Sequence, residues 1–178
     1  MVTREQALER IKSQNPEQHM VQHALASEAL MCALAVHFGE DETLWGLTGL
    51  LHDVDFPLTK TCPERHGLAA EELLAGDVTE EVMRAIKAHN SEYTGVMPES
   101  KMEFALRAAE TVTGMVTAAA LVRPTGYEGM EAKSLKKKMK DKAFAASVSR
   151  ERIRECEQIG LSLDEFLALS IKAVGSVA

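Results

Sequence analysis

The 178-residue sequence predicts an all-α fold, and three observations support that prediction. Aromatic residues make up only 4% of the chain, while the helix-favouring residues Ala, Leu, Glu, Lys and Met abound. Patterns typical of helix starts and stops recur along the chain. No stretch shows the apolar–polar alternation of a half-buried strand. We therefore expect a helical bundle of about eight helices in one domain spanning residues 1–178, a length sufficient for a full hydrophobic core.

The first two helices are predicted from their caps. Thr3 and Gln6 form a capping box, in which the two side chains satisfy free backbone N–H groups at the start of the first helix. Asn15-Pro16 is typical of an N-cap followed by proline at the first helical position. The long second helix is then expected to end at Gly39, since glycine readily adopts the left-handed backbone that closes a helix.

Capping residues and prolines also delimit the next three helices. Asp41 is expected to cap the third helix, which runs into a His-Asp pair and ends before Pro57. Pro63 starts a fourth helix, which is expected to end near Gly76. Thr79 caps a fifth, whose first turn contains two glutamates that suit the positive end of the helix dipole.

The remaining helices follow the same rules. Ser100 and Glu103 form a second capping box for a sixth helix, which should end near Pro124. A loop over residues 125–129 comes next. Two or three shorter helices complete the chain, and Ser162 opens the last of them.

Composition excludes several classes of protein. The net charge of −7 argues against general nucleic-acid binding. The three cysteines form no CxxC pair and predict neither a disulfide framework nor a zinc knuckle. No stretch reaches the ~20 consecutive apolar residues of a membrane span. The sequence therefore predicts a cytoplasmic protein that binds neither nucleic acid nor membrane.

Side chains that commonly bind metals occur on five of the predicted helices. His52 and Asp53 close an apolar run, where unpaired polar groups are costly and a bound cation would compensate for that cost. Four imidazoles and two carboxylates together suit one or two divalent transition metals such as Mn, Fe, Co, Ni or Zn. The predicted ligands are His23, His52, Asp53, His66, His89 and Glu110.

Simpler interpretations of some of these residues remain open. His19 shares a helix face with His23 and could join the site, whereas His37 suits the negative end of its helix dipole. Glu110 lies among core-facing neighbours and needs a partner. That partner could be a metal or Arg107, and the side chain could also lie on an exposed flank.

The order of these residues resembles that of the HD-domain superfamily of metal-dependent phosphohydrolases. Residues 49–55, 63–67 and 85–90 match the pattern in order and spacing. Residues 121–124 and 133–138 resemble a small bacterial subfamily of predicted HD hydrolases. The resemblance implies an HD-like domain with a core at about residues 16–125 and a C-terminal helical extension at about residues 126–178.

The resemblance also implies two metal sites that share one carboxylate. The ligands of the first would be His23, His52, Asp53 and Glu110, and those of the second Asp53, His66 and His89. Asp53 would therefore be the central residue of the catalytic site. The family usually has aspartate at the position of Glu110, and the longer glutamate side chain would change the geometry of the first site.

Three basic residues are candidates for binding a phosphorylated substrate. Arg65 and Arg123 could each present two N–H groups to phosphate oxygens. Lys137 lies in the segment 133–154, which carries nine basic and only two acidic residues and could attract an anion. A solvated helix face or a surface salt bridge would explain each of these residues equally well.

These observations predict a metal-dependent enzyme that hydrolyses a small phosphate ester, with a nucleotide as the first candidate, by means of a metal-activated water. A di-iron oxygenase of the HD type would use a similar set of histidines. A nucleotide sensor whose metal site has decayed would account for the glutamate at position 110, where the family usually has aspartate. A purely structural protein would leave the four histidines unexplained.

Overall fold

The computed structural model describes all 178 residues, of which 66% are helical and none lies in a strand. The all-α prediction is therefore confirmed. A short 3₁₀ turn at Glu155–Ile159 directly follows the helix Arg150–Arg154. If these two are counted together, eight helices have seven or more residues, as expected. The helices are α1 (Arg4–Ser13), α2 (Gln18–Phe38), α3 (Glu42–Leu51), α4 (Phe56–Thr59), α5 (Ala70–Leu73), α6 (Glu80–His89), α7 (Ser91–Thr94), α8 (Lys101–Leu121), α9 (Ala132–Met139), α10 (Arg150–Arg154) and α11 (Leu163–Gly175).

Most of the predicted caps are present. Both halves of the capping box form at Thr3, Ser100 and Ser162. The side chains of Asp41 and Thr79 each accept a hydrogen bond from a backbone N–H in the first turn of the helix that follows. These starts could be predicted because a cap is a local interaction between residues three apart.

The predicted start of α2 is wrong. Asn15 has a left-handed backbone, with φ of 51°, instead of the extended conformation of an N-cap. The helix begins at Gln18, and Glu17 precedes it without a capping hydrogen bond from its side chain. The other end agrees with the prediction, since Gly39 closes the helix with φ of 69°.

The single helix predicted from Pro63 to Gly76 is also wrong. A 3₁₀ turn at Pro63–Arg65 is separated from α5 by residues with non-helical backbone. Gly67 has φ of +85°, which breaks the helix. As a result, His66 lies in an extended segment between two short helices.

The two 21-residue helices α2 and α8 pack against each other at the centre of the molecule. The C-terminal helices contribute to the same core, because Leu135, Ile153 and Phe166 are completely buried in it. A smaller cluster on the other side of α3 includes Ile11 of α1 and Ile86 of α6. Helix α3 thus lies between two apolar clusters, with its C-terminal end pointing to the predicted site.

By length and composition alone, α2 is apolar enough to cross a membrane. In the structure it is a core helix, since Leu30, Met31 and Leu34 are completely buried against its neighbours. The buried polar side chains of Ser27 and Glu28 lie on the same helix. The chain as a whole has the features of a soluble helical protein.

Helices α2 and α3 approach each other closely at Gly49. A Cβ atom at this position would lie 2.7 Å from the carbonyl oxygen of Ser27 and 2.9 Å from the Cγ atom of Met31. Only glycine allows this contact between backbones without a shift of one helix. The close packing brings the C-terminal end of α3 next to His23 on α2.

Candidate metal centre

Four histidines and one aspartate from separate parts of the chain meet at the ends of α3 and α6. His23 comes from the second turn of α2, and His52 follows the last residue of α3. His89 is the last residue of α6. His66 directly precedes Gly67, between the 3₁₀ turn at Pro63–Arg65 and α5. We call this set, His23, His52, Asp53, His66 and His89, the His–Asp cluster.

Helix ends orient two of the imidazoles. The Nδ1 atom of His52 lies 2.7 Å from the carbonyl oxygen of Gly49, and Nδ1 of His89 contacts the carbonyl oxygen of Ile86. A carbonyl oxygen can only accept a hydrogen bond, so both Nδ1 atoms must carry hydrogen. In a neutral ring, Nε2 then carries no hydrogen, and its lone pair points into the cluster.

A carboxylate orients the third imidazole. Nδ1 of His66 lies 3.0 Å from Oδ1 of Asp55, and Oδ2 of Asp55 accepts a hydrogen bond of 2.8 Å from the backbone N–H of Gly67. The Asp55 side chain is completely buried. A carboxylate that holds the distal nitrogen of a histidine is typical of metal sites, because it fixes the tautomer and makes the ligand more basic.

A threonine on α8 orients the fourth imidazole. The hydroxyl of Thr113 donates a hydrogen bond to the carbonyl oxygen of Glu110 at 2.6 Å. The same hydroxyl lies 3.0 Å from Nδ1 of His23. Since its hydrogen is already used, the hydroxyl accepts from His23, and Nδ1 of His23 is again the protonated nitrogen.

The four Nε2 atoms therefore face one another around Asp53. The Nε2 atoms of His23 and His52 are 3.1 Å apart, and those of His66 and His89 are 2.9 Å apart. The Asp53 carboxylate lies 3.2 Å from Nε2 of His66 and 3.5 Å or slightly more from the other three. Lone pairs that face each other at such distances repel unless a proton or a cation lies between them.

The electrostatics of the cluster follow from burial and from the facing charges. Burial lowers the pKa of His52 to about 3, so this imidazole stays neutral. Burial also opposes a charge on His66, yet hydrogen bonds to Asp53 and Asp55 raise its pKa to about 10. Burial would raise the pKa of Asp53, but the imidazoles around it, first His52 and then His66 and His89, hold it well below its usual range.

The donor set fits a metal ion. His23, His52 and Asp53 form one group, whose ligand atoms lie within 4.8 Å of one another, and Asp53, His66 and His89 form a second. Imidazole nitrogens with a shared carboxylate suit divalent transition metals better than calcium. The cluster could therefore hold a metal ion, and Asp53 belongs to both groups.

Glu110 lies beside the cluster and faces another way. Its carboxylate contacts the hydroxyl of Thr111 and lies 3.5 Å from the guanidinium of Arg152. The sequence suggested Arg107 as its alternative partner, but Arg107 pairs with Glu155 at 2.7 Å. The side chain of the sixth predicted ligand is thus engaged by a cation in this structure.

The side chains of the three basic residues predicted to bind substrate form no hydrogen bond or ion pair with the cluster. The guanidinium of Arg123 binds the carbonyl oxygens of Gly126 and Glu128, so it holds its own loop together. The side chains of Arg65 and Lys137 are exposed, and neither residue lines a cavity that borders the cluster. His19 is also outside it, with a largely exposed ring 3.6 Å from Glu17.

Arg152 is a cation near the cluster that the sequence did not single out. It is the only lysine or arginine lining a cavity of about 810 Å³ that borders His23, which we call the polar cavity. Glu92, Glu110 and Asn90 also line this cavity. Arg152 could not be found from sequence because it reaches the site from a helix 42 residues beyond Glu110.

Two further residues hold the ligand-bearing segments together. The side-chain amide of Asn90 donates to the carbonyl oxygen of His66 at 3.0 Å. The buried guanidinium of Arg107 donates to the carbonyl oxygen of Ala88 and to the hydroxyl of Ser91. Together they fix the end of α6, and with it His89. The position of Asn90 next to His89 was the only sequence signal for either role.

No protein-family model, curated protein or solved structure matches this chain. The helical structure and the His–Asp cluster are compatible with an HD-like domain.

Proposed function

We propose that this chain is a metal-dependent phosphohydrolase of the HD type that acts in the cytoplasm on a small phosphate ester, with a nucleotide as the first candidate. One observation carries the proposal: two groups of potential ligands share a single carboxylate, Asp53. Paired cations on a bridging carboxylate are a recurring arrangement for phosphoryl displacement.

In this proposal, His23, His52 and Asp53 would hold one ion, and Asp53, His66 and His89 the other. Bound divalent cations supply an acidified water and positive charge that stabilises the phosphoryl oxygens. Hydrolysis of a monoester adds water to phosphorus, breaks the phosphorus–oxygen ester bond and releases the alcohol and phosphate. Asp53 would serve as a ligand and would not need to transfer a proton.

Residues of the chain would prepare the site for that reaction. Asp55 and Thr113 orient His66 and His23 through their Nδ1 atoms, so that the Nε2 atoms point into the cluster. Arg152 offers a guanidinium in the polar cavity beside His23, and guanidinium groups bind phosphate oxygens in pairs. Arg152 supports the phosphate assignment better than Arg65, Arg123 or Lys137, because it lines a cavity that His23 of the cluster also lines.

The decisive experiment is elemental analysis of the purified protein followed by a screen of phosphate esters and nucleotides with Mn²⁺, Co²⁺, Ni²⁺ and Mg²⁺. We expect bound transition metal and metal-dependent release of phosphate. Asp53→Ala should abolish both, and His52→Ala should lose the ion of its own ligand group together with the hydrolysis. His37→Ala, on an exposed residue of α2, should leave both unchanged. Retention of the parent's full metal content by His52→Ala and Asp53→Ala would contradict the site.

A second candidate function is a nucleotide sensor without catalysis. The observation in its favour is the engagement of Glu110 by Arg152, which leaves the first ligand group with only three members. Tight binding of a nucleotide without turnover, whichever metal is added, would support the sensor. Bound iron together with oxygen consumption would instead identify an oxygenase.

A further inference from the structure

A second cavity borders the His–Asp cluster. It has a volume of about 660 Å³ and its wall contains both His23 and Asp53. This volume lies in the range of ~300–1,000 Å³ that is typical of small-molecule sites. We call it the apolar cavity, because most of the residues that line it are hydrophobic.

The apolar cavity contains no lysine or arginine. Its apolar surface comes from residues such as Met20, Phe56, Ala118, Leu121 and Val174. A chain of phosphates placed here would lose its hydration without gaining a cation, which is costly. An uncharged organic group would instead exchange water for apolar contacts, which is favourable.

Small residues on α8 make room for a ligand. Gly114 and Ala118 are four residues apart and therefore lie on the same face of that helix. The hydroxyls of Thr117 and Tyr127, which are 3.5 Å apart, are among the polar groups in the lining. Such a lining suits an aromatic or aliphatic group with a few polar substituents.

One residue of the cavity wall also packs against the second half of the cluster. The ring of Phe56 lines it and meets the ring of His66 edge to face, with 5.5 Å between centroids. A molecule in the cavity would therefore have potential metal ligands at one end and apolar side chains along its length.

We propose that the apolar cavity binds the uncharged organic group of a phosphate monoester, whose phosphate faces the His–Asp cluster. This inference rests on the proposed phosphohydrolase function and narrows its substrate class. Monoesters of aromatic or aliphatic alcohols should be preferred over nucleoside triphosphates and other polyphosphates, for which the cavity has no cation.

The test uses 1-naphthyl phosphate as a probe and measures its binding by calorimetry to the full chain, with and without added Mn²⁺. Ala118→Phe would fill the cavity, and Ala118→Leu would fill part of it if the larger change impairs folding. Ala168→Phe, on an exposed residue of α11, is the matched control. Inorganic phosphate, which has no organic group, is the control ligand.

We expect one saturable naphthyl phosphate site per chain, which Ala118→Phe weakens by roughly tenfold or more and Ala168→Phe leaves intact. Metal content and phosphate affinity should be the same in all variants.

Unchanged naphthyl phosphate binding by folded Ala118→Phe and Ala118→Leu would overturn the inference, as would binding of ATP in preference to naphthyl phosphate. If either of these results were found together with metal-dependent hydrolysis of phosphate esters, the inference about the cavity would fail but the proposed function would still hold. Binding that depends on Ala118 without any metal-dependent hydrolysis would support the cavity and reject the proposed function.

Discussion

The Asp55 carboxylate lies 3.0 Å from Nδ1 of His66, and its other oxygen accepts the N–H of Gly67 at 2.8 Å. One buried side chain thus fixes both the ring of a potential metal ligand and the turn that carries it. The metal affinity of the second ligand group should therefore depend on a residue that does not touch the metal.

Asp55→Asn should weaken Mn²⁺ binding by roughly 10–100-fold, because the amide keeps the shape of the side chain but loses the charge that makes His66 more basic. Calorimetric titration with Mn²⁺ would measure this. Asp164→Asn, at an exposed aspartate paired with Lys136, is the control and should bind like the parent. Equal affinity of both variants would contradict the role of Asp55.

Two ligand groups with one shared residue predict a specific pattern of metal stoichiometry. His23→Ala should lose the ion held with His52, and His89→Ala the ion held with His66, so each variant should retain half of the parent's metal. Asp53→Ala should lose both ions. Elemental analysis after dialysis would check this. Complete loss of metal in both histidine variants would instead indicate a single ion bound by all members of the cluster.

Glu110→Gln should leave the metal content unchanged, because the carboxylate of Glu110 faces Arg152 and Thr111. Its effect should be on the binding of phosphate esters, since Arg152 would be freer to contact an anion. Elemental analysis and phosphate titration would separate the two effects. Loss of one metal ion in Glu110→Gln would show that this side chain turns into the first ligand group when metal binds.

Arg107→Met should lower the free energy of unfolding by about 3–5 kcal/mol, the usual cost of removing one partner from a buried ion pair. Arg107 is almost completely buried and binds both Glu155 and the end of α6. Arg154→Met, in the exposed pair with Glu157, should cost less than about 1 kcal/mol. Urea denaturation of the two variants would compare them. A similar small loss for both would mean that Arg107 does not hold α6.

The pair of Glu92 and Arg152 should stabilise the fold in a pH-dependent way. A hydrogen bond from Arg152 lowers the pKa of Glu92 to about 2. An acid whose pKa is lowered by folding favours the folded state above its ordinary pKa, and this contribution disappears as the pH falls towards about 2. The difference in unfolding free energy between the parent and Glu92→Gln should therefore shrink on acidification below about pH 4.5. In an Arg152→Gln background the difference should show no such pH dependence.

The local parts of this structure could be predicted from sequence, because they depend on residues a few positions apart. The carbonyl groups that orient His52 and His89 lie three residues before each ring, as helix geometry requires. The caps at Thr3 and Ser100 are equally local. The failures at Asn15 and Gly67 are local as well, and they arise because a cap pattern does not determine whether the backbone turns left-handed there.

The contacts that complete the site could not be predicted, because they join distant parts of the chain. Thr113 contacts His23, which lies 90 residues earlier in the sequence. No sequence pattern around either residue indicates this contact. The sequence suggested that Glu110 could pair with Arg107. In the structure Glu110 faces Arg152 and Arg107 pairs with Glu155, because the choice of partner depends on where α10 packs against α8. The roles of the candidate ligands in binding metal remain predictions.

Gly49 connects helix packing to the chemistry of the site. Its missing side chain lets α2 and α3 touch, and its carbonyl oxygen orients His52 towards His23 on the other helix. The separation between these two imidazoles is thus set by a contact between backbones. Such a contact is much less able to shift than a side chain is. A site with such a fixed opening should select among ions by their radius, and it should reject a larger ion that more flexible ligands would accommodate.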